Sequence, residues 1–380
     1  MPDQNALVVL ASGGTGGHIF PARALAEELL GRGYRVALLT DSRGEAYDQL
    51  FPGVDVVQIS AGSPSVGGLL GKVKAATKLF WGTLQSIKYL RREKPMAVVG
   101  FGGYPSMPPA AAAALLGVPL VLHEQNAILG RVNKLLSGPA AGIATSFLNT
   151  ETVENSVLGK MIFTGNPVRK EILSLQGVNY CSVSNTEKFN LLVLGGSQGA
   201  TILSDVVPLA VASLPDELKG RLHVTQQCRK EDLAKVEEIY NNNNVDAVLE
   251  TFFHNIPELL SDCHLAIARS GASTMAELAV AGRPSILVPY KHAMDNHQYR
   301  NAKNSVDRGA AALILQDDFT VEILQDKLAC LLTHPDKLKT MATATAQCAE
   351  VEAASNLANM VEDMAKNRTN GSPLNGKVVA

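Results

Sequence analysis

Neither sign of charge predominates in this chain: 34 Lys and Arg stand against 36 Asp and Glu, a formal net charge of -2. So even a balance removes any general electrostatic reason to expect nucleic acid as a partner. Cysteine is scarce too. Cys181, Cys228, Cys263, Cys330 and Cys348 are odd in number and widely spaced, without a Cys-x-x-Cys pair, which argues against a disulfide framework or a zinc site and for a reducing compartment. No apolar run is long enough to span a bilayer: the longest, Ala110 to Leu122, is broken by Gly117 and Pro119 and ends in His123 and Glu124. Met1 to Asn5 carry no basic cluster leading into an apolar stretch, so no signal peptide is expected. Asp-x-Asp is absent, so an obvious carboxylate pair for a metal ion is lacking, and no metal or cofactor is expected. Any anionic ligand would then be met by helix termini and cationic side chains.

What remains is a composition of 46% hydrophobic, 18% charged and 5% aromatic residues over 380 positions, the profile of a soluble globular protein with room for two cores. Short β-rich apolar runs alternate with longer helical stretches, a pattern that builds a parallel sheet covered by helices on both faces. In the first half, strands are expected near Ala6–Ala11, Arg35–Thr40, Met96–Gly100, Leu120–His123 and Met161–Thr164. The second half restarts at Asn190–Leu194 and continues with His223–Gln226, Ala247–Leu249, Leu265–Ala268 and Ser285–Pro289. The polar, aperiodic stretch Gly177–Lys188, with Gly165, Asn166 and Pro167, marks the connection. The expected fold is α/β, two Rossmann-like domains with parallel sheets facing across a cleft. The expected boundaries are 1–167, 168–350, a C-terminal helix over 351–366 and a disordered tail over 367–380.

Each half opens with a strand, a glycine loop and a helix: Gly13-Gly14-Thr15-Gly16-Gly17 and Gly195-Gly196-Ser197-Gln198-Gly199. Small residues let backbone N–H groups approach an anion, and the helix amino terminus adds about half a positive charge, so a diphosphate suits such a loop. Neither loop is decisive, because glycine loops also make turns with no ligand. The first matches neither Gly-x-Gly-x-x-Gly nor a P-loop, although Asp41 ends the second expected strand where a dinucleotide fold keeps its ribose carboxylate. An NAD-dependent oxidoreductase therefore stays open here, beside a helix-cap role for Asp41.

Specificity comes from the series GGTGGHIFPA from Gly13, GFGGYPSMP from Gly100, HEQNAILGRVNK from His123, GGSQGA from Gly195, ARSGASTMAEL from Ala268 and HQYRNA from His297. In order and spacing these segments resemble the MurG family of peptidoglycan N-acetylglucosaminyltransferases, from about residue 6 to about residue 310. The resemblance implies the GT-B fold, with UDP-N-acetylglucosamine held mainly by the second domain and the acceptor mainly by the first. It implies an inverting transfer of N-acetylglucosamine to the 4-hydroxyl of the lipid I sugar, forming β1,4-linked lipid II for peptidoglycan and cell wall synthesis, cell shape and division. Its last helix usually crosses back to the first domain.

Carried over residue by residue, Thr15, Gly16 and Gly17 face the donor diphosphate and sugar, and Ser197 supplies a phosphate contact. Asn126 reads sugar hydroxyls, and Arg169 holds the nucleotide with a permanently charged, multidentate guanidinium. Ala272, Ser273 and Thr274 open a helix toward the α-phosphate, with an ordinary capped helix as the plain alternative. Glu277 accepts from the ribose, Gln298 recognises the N-acetylglucosamine ring, and the Phe253 backbone contacts uracil. His297 departs from the family's Gln-Gln pair, and Gln226, Gln227, Cys228 and Arg229 depart from its usual His-Gln-Thr-Gly strand end. Gly14, Gly103, Tyr104 and Ser106, with Gly102, form an expected pocket for the acceptor diphosphate. The alternative is a strand-to-helix turn.

A hydroxyl attacks poorly until a positioned group takes its proton, and histidine titrates close to cytosolic pH. His18, directly after the first loop, is the expected catalytic base, with a structural histidine as the alternative. Glu124 is the second candidate, its alternative being a buried acceptor that braces the turn. From Leu69 to Arg92 a helix carries Leu70, Val73, Thr77, Phe80, Leu84 and Ile87 at helical spacing, with Lys72, Lys74, Lys78 and Lys88 interleaved and Trp81 beside Phe80. It is either a core-facing helix with a basic side or an element lying on an anionic membrane. The family's hydrophobic patch rimmed by basic residues favours the membrane. Expected partners are UDP-N-acetylglucosamine, lipid I, an anionic membrane surface and, as a further class, other cell-wall synthesis proteins. The expected location is peripheral, on the cytoplasmic face of the bacterial inner membrane. A UDP-N-acetylglucosamine 2-epimerase and a non-catalytic nucleotide-sugar binding protein are the rival readings.

Overall fold

A computed structural model describes residues 5–42, 48–63, 68–152, 155–181, 187–196 and 199–370. Chain contacts divide it into two compact units, residues 1–169 with 351–380, and residues 170–350.

The first unit runs β1 (Leu7–Ala11), α1 (Gly16–Gly31), β2 (Arg35–Thr40), β3 (Asp55–Gln58), α2 (Gly68–Glu93), β4 (Ala97–Gly100), α3 (Gly103–Leu116), β5 (Leu120–Glu124), α4 (Arg131–Leu136), β6 (Gly142–Thr145), α5 (Asn155–Leu158) and β7 (Met161–Phe163). All seven strands are parallel, in the order β3-β2-β1-β4-β5-β6-β7. Every residue of β1, β4, β5 and β6 is buried, which is why they read as continuous apolar runs rather than alternating ones. Val8, Leu10, Val36, Leu38 and Val99 point to one face, into a core shared with Ile19, Leu25 and Leu29 of α1. Their neighbours Leu7, Val9, Leu39, Val98, Leu120 and Leu122 point to the other, with residues of α2, α3 and α4.

The second unit runs α6 (Lys170–Leu173), β8 (Phe189–Leu194), α7 (Thr201–Ala212), α8 (Asp216–Lys219), β9 (Leu222–Gln227), α9 (Leu233–Asn242), β10 (Asp246–Glu250), α10 (Ile256–Asp262), β11 (Leu265–Ala268), α11 (Ala272–Ala281), β12 (Ser285–Leu287), α12 (His297–Asp307), β13 (Ala311–Leu313), α13 (Val321–Thr333) and α14 (Pro335–Ala346). Its six parallel strands follow β10-β9-β8-β11-β12-β13. Both sheets therefore reverse strand order beside their first strand, between β1 and β4 and between β8 and β11. At such a point the connections leave in opposite directions and open a crevice at the carboxyl ends of the strands, where ligands bind.

The chain closes with α15 (Ala353–Asn370), which belongs to the first unit. Leu357, Ala358, Met360, Val361 and Met364 join the core above α1, and Arg32 at the end of α1 bonds Glu362, Asn359 and Ser355. The helix continues past Lys366 to Asn370, so its regular structure extends into the stretch read from sequence as tail. Residues 371–380 lie outside the described set.

Three strands, β3, β6 and β13, were not anticipated. β3 is a four-residue edge strand, half exposed and without a long apolar run. β6 opens on Gly142, where a Cβ would approach Met360 Cε at 2.5 Å, so close packing of α15 demands the residue that weakens a strand signal. β13 is the three-residue Ala-Ala-Leu, whose alanines favour helix locally and become a strand only by pairing with β12.

The helix α2 resolves differently from its apolar spacing. Its buried stripe is Ala75, Gly82, Ser86 and Leu90, the first three small enough to let it lie close against neighbouring backbone; Gly82 sits on the Ser60 carbonyl with no room for a Cβ. The larger residues face outward: Val73 is 58% exposed, Phe80 60%, Trp81 56% and Leu84 40%. Phe80 and Trp81 pack edge to face, 5.9 Å between centroids, and Lys72, Lys74, Lys78 and Lys88 are exposed around them. The core-facing alternative fails for Val73, Phe80 and Leu84, while Ile87 is half-buried and packs against the core of the first unit. The side chain of Leu70 lies outside the described residues.

Candidate active site

At the carboxyl end of β1 the chain turns through Ser12 to Thr15, with Gly14 at φ +97°, a conformation that favours glycine, and enters α1 at Gly16. Thr15 is extended and makes no side-chain cap, and its carbonyl accepts from the amides of His18 and Ile19. Gly16 is required by packing, since a Cβ there would meet the Phe20 ring at 2.9 Å. Phe20 carries Arg169 on its other contact, the guanidinium carbon 4.5 Å from the ring centroid. The first loop, the start of α1 and Arg169 are therefore brought together within one unit, and a cation–aromatic contact of this kind holds a guanidinium in place.

Across the strand-order reversal, β4 is followed by Phe101, Gly102 and Gly103, the glycines at φ +79° and +71°. The His18 imidazole lies over them: a Cβ on Gly103 would come within 3.3 Å of His18 Cδ2, and one on Gly102 within 3.5 Å of Cε1. His18 is thus held in the crevice between the loops after β1 and β4. Ser12 Oγ donates to the His18 carbonyl at 2.9 Å and fixes the backbone beneath it. Tyr104 is half-buried; Ser106 is buried, and its hydroxyl donates to the Gly103 carbonyl at 2.9 Å, an interaction inside the first turn of α3.

The segment after β5 is bound by one carboxylate. Glu124 is 2% exposed, and its two oxygens accept from the Asn126 amide at 3.0 Å, Asn126 Nδ2 at 3.2 Å, the Gly130 amide at 2.7 Å and Asn133 Nδ2 at 2.8 Å. Four donors on a buried carboxylate hold it in one orientation and fold the loop that positions Asn126. This is the geometry of a brace, the alternative to a base at Glu124. Beside it, His123 is fully buried, and burial pushes its imidazole down to about 4, with a smaller opposing effect from the Gly165 carbonyl and a further lowering by His18. Asn166, in the Gly165-Asn166-Pro167 turn, is buried with no partner for either end of its amide among the described residues.

In the second unit, Gly196 has φ +80° after β8; Ser197 and Gln198 lie outside the described residues. β11 is followed by Arg269, Ser270 and Gly271, and α11 starts at Ala272 with Ser273, Thr274 and Glu277 half-buried on it. Gln298, the second residue of α12, is tied in twice: its side-chain oxygen accepts from the Tyr290 amide at 2.9 Å, and its carbonyl accepts from Ser270 Oγ at 2.8 Å. Phe253 is buried, while Phe252 beside it is half exposed and packs edge-on to His254. His297 bonds through Nδ1 to the Met294 carbonyl at 2.9 Å, a local job for the residue that departs from the family pair. Cys228 is buried in the core of this unit, where burial raises its thiol pKa, and Gln226 accepts from Tyr240 Oη at 2.7 Å, so these departures serve packing.

Sequence reasoning passed over three residues. Arg269 is buried beside the strand-order reversal of the second sheet, donating to the Val288 carbonyl and lying 5.4 Å from the centroid of Tyr290; burial pushes its pKa down to about 10. Gln125 and His123 stand between His18 and the backbone. His123 and Gln125 lie inside the HEQNAILGRVNK segment and Arg269 inside ARSGASTMAEL, but only their burial and contacts single them out.

A glycosyltransferase family 28 N-terminal domain matches residues 8–145, and a glycosyltransferase family 28 C-terminal domain matches residues 190–359. The chain belongs to glycosyltransferase family 28. A relative from Paramagnetospirillum magneticum, a UDP-N-acetylglucosamine--N-acetylmuramyl-(pentapeptide) pyrophosphoryl-undecaprenol N-acetylglucosamine transferase, is 47% identical over 97% of this chain and 100% of its own length. A transferase of the same name from Rhodospirillum centenum is 48% identical over 93% of each chain. Among solved structures, Acinetobacter baumannii MurG superposes with a TM-score of 0.74 at 29% identity, covering 94% of this chain and 99% of that one. The MurG resemblance read from the motifs and the GT-B fold both stand, and the chain is a glycosyltransferase.

Proposed function

We propose that this glycosyltransferase moves N-acetylglucosamine from UDP-N-acetylglucosamine to the 4-hydroxyl of the lipid I sugar, forming β1,4-linked lipid II. The observation that carries this reading is an imidazole, His18, held between two glycine loops at the strand-order reversal of the first unit, in a chain whose full-length relatives bear that transferase name. The acceptor oxygen attacks the anomeric carbon from the face opposite UDP as the bond from that carbon to the phosphate oxygen breaks, a single displacement that inverts the centre, and His18 takes the hydroxyl proton.

In the first unit, Thr15, Gly16, Gly17 and Arg169 meet the donor diphosphate, Asn126 meets the sugar, and Gly14, Gly103 and Tyr104 meet the acceptor diphosphate, with Ser106 supporting that turn. Glu124 acts by holding the Asn126 loop rather than as the base. In the second unit, the start of α11 at Ala272, Ser273 and Thr274 meets the α-phosphate, Glu277 the ribose, Gln298 the N-acetylglucosamine, the Phe253 backbone the uracil, and Ser197 a phosphate. Preorganised donors and a helix terminus of this kind stabilise developing charge on a leaving phosphate.

The acceptor is lipid-linked, and no helix among the described residues is long and apolar enough to cross a membrane. The exposed Val73, Phe80, Trp81 and Leu84 ringed by lysines suit a peripheral site on the anionic cytoplasmic face of the bacterial inner membrane. Release of UDP measured with and without a lipid I analogue tests the activity. Acceptor-dependent release supports it; formation of N-acetylmannosamine, free or still joined to UDP, without acceptor would mark an epimerase, and binding with neither release nor epimerisation a non-catalytic protein.

A further inference from the structure

Between His18 and the body of the first unit runs a chain of side chains whose hydrogen-bonding directions are dictated from its far end. Ser146 Oγ donates its one proton to the Glu124 carbonyl at 2.9 Å, so toward His123 Nε2, 3.5 Å away, it can only accept. The other group at His123 Nε2 is the Gly165 carbonyl at 3.4 Å, also an acceptor. His123 Nε2 therefore carries the proton, and in the neutral ring Nδ1 is an acceptor. Full burial keeps that ring neutral, its pKa lying near 4.

Gln125 links the two imidazoles. Its Nε2 lies 2.9 Å from the Phe101 carbonyl and 3.0 Å from His123 Nδ1, both acceptors. Turning the amide over would set oxygen against the carbonyl oxygen of Phe101, so its orientation is settled by main chain. The Gln125 oxygen is then the end that faces His18 Nδ1, at 3.2 Å, and an amide oxygen can only accept.

We infer that Gln125 and His123 are positioning residues that hold neutral His18 as the Nδ1–H tautomer, so that Nε2 presents the lone pair that receives the acceptor's proton. Gln125 thus does through a neutral amide what a carboxylate does behind many catalytic histidines, orienting the ring without supplying a charge that would stabilise the imidazolium. The inference rests on the reading of His18 as base, while the tautomer itself is a property of the free protein.

Long-range proton–nitrogen NMR of the full chain labelled at histidine nitrogens reads the tautomer directly, with His18 assigned from the spectrum of His18→Gln. In the wild type, neutral His18 should carry its proton on Nδ1 and His123 on Nε2. Gln125→Met, similar in length but unable to accept, should shift His18 toward the Nε2–H form that imidazole prefers in water. It should lower kcat by about tenfold or more while leaving KM for UDP-N-acetylglucosamine within about twofold. A wild-type His18 protonated on Nε2, or a Gln125→Met protein that keeps the Nδ1–H form, overturns the inference, and the first of these does not depend on the Gln125→Met protein folding. Normal turnover by His18→Ala would instead overturn the base reading and leave the tautomer result standing.

Discussion

Acid should destabilise the first unit through one residue. His123 is neutral in the folded protein down to about pH 4, whereas an unfolded histidine takes up its proton near 6.5. Between those values the unfolded state binds a proton that the folded state refuses, so the contribution is fully present above pH 6.5 and is lost as the pH falls toward 4. From pH 8 to pH 5 the loss works out at about 2 kcal/mol, and the full shift of about 2.5 units corresponds to about 3 kcal/mol. His123→Gln keeps a donor toward Gly165 and an acceptor for Gln125 but cannot titrate. Urea unfolding of wild type and variant at the two pH values, followed by circular dichroism and by the fluorescence of Trp81, the single tryptophan, measures the difference. The wild type should lose about 2 kcal/mol more than the variant over that interval. Equal losses would show that burial does not hold His123 neutral, and would remove the support it gives to the hydrogen-bond chain ending at His18.

Three further outcomes are expected of the same structure. Replacing Phe80 and Trp81 together by Asp should abolish co-sedimentation with anionic vesicles while leaving unfolding within about 0.5 kcal/mol of wild type, because both rings are largely exposed; unchanged vesicle binding would remove the membrane assignment of α2. Arg283, 2% exposed, donates to the carbonyls of Leu260 at 2.7 Å and Ser261 at 2.9 Å at the end of α10, so Arg283→Met should cost about 2–3 kcal/mol by removing the side-chain donor to Ser261 and leaving Leu260 with the Cys263 amide alone, as read by thermal unfolding. A chelator should leave the transfer rate within about twofold, since the sequence supplies no Asp-x-Asp pair and Arg169 with the helix starts is assigned the phosphate charge; a steep loss restored by a divalent cation would contradict that assignment.

Much of the fold could be read in advance because parallel strands buried on both faces leave uninterrupted apolar runs, as at Arg35–Thr40 and Leu265–Ala268, which form β2 and β11 over those same residues. The strands that escaped notice owe their state to partners: β6 to α15 pressing on Gly142, β13 to pairing with β12. Of the candidate site, the glycine loops and His18 were legible because each depends on residue type at a turn. Periodicity correctly found α2 but not which of its faces is buried, since a stripe of Ala75, Gly82 and Ser86 packs closely with almost no hydrophobic signal. Gln125 and His123 were hidden for a related reason: their significance lies in which nitrogen meets which carbonyl, and residue spacing carries no record of that.

The proposed chemistry is a direct displacement at the anomeric carbon with His18 as the base, and the anomeric configuration of the product tests whether the displacement is single. After incubation with UDP-N-acetylglucosamine and a lipid I analogue, proton NMR of the isolated disaccharide should show the large H1–H2 coupling of a β-linked N-acetylglucosamine on the 4-oxygen. A small coupling, with the α configuration of the donor retained, would contradict a single inverting attack.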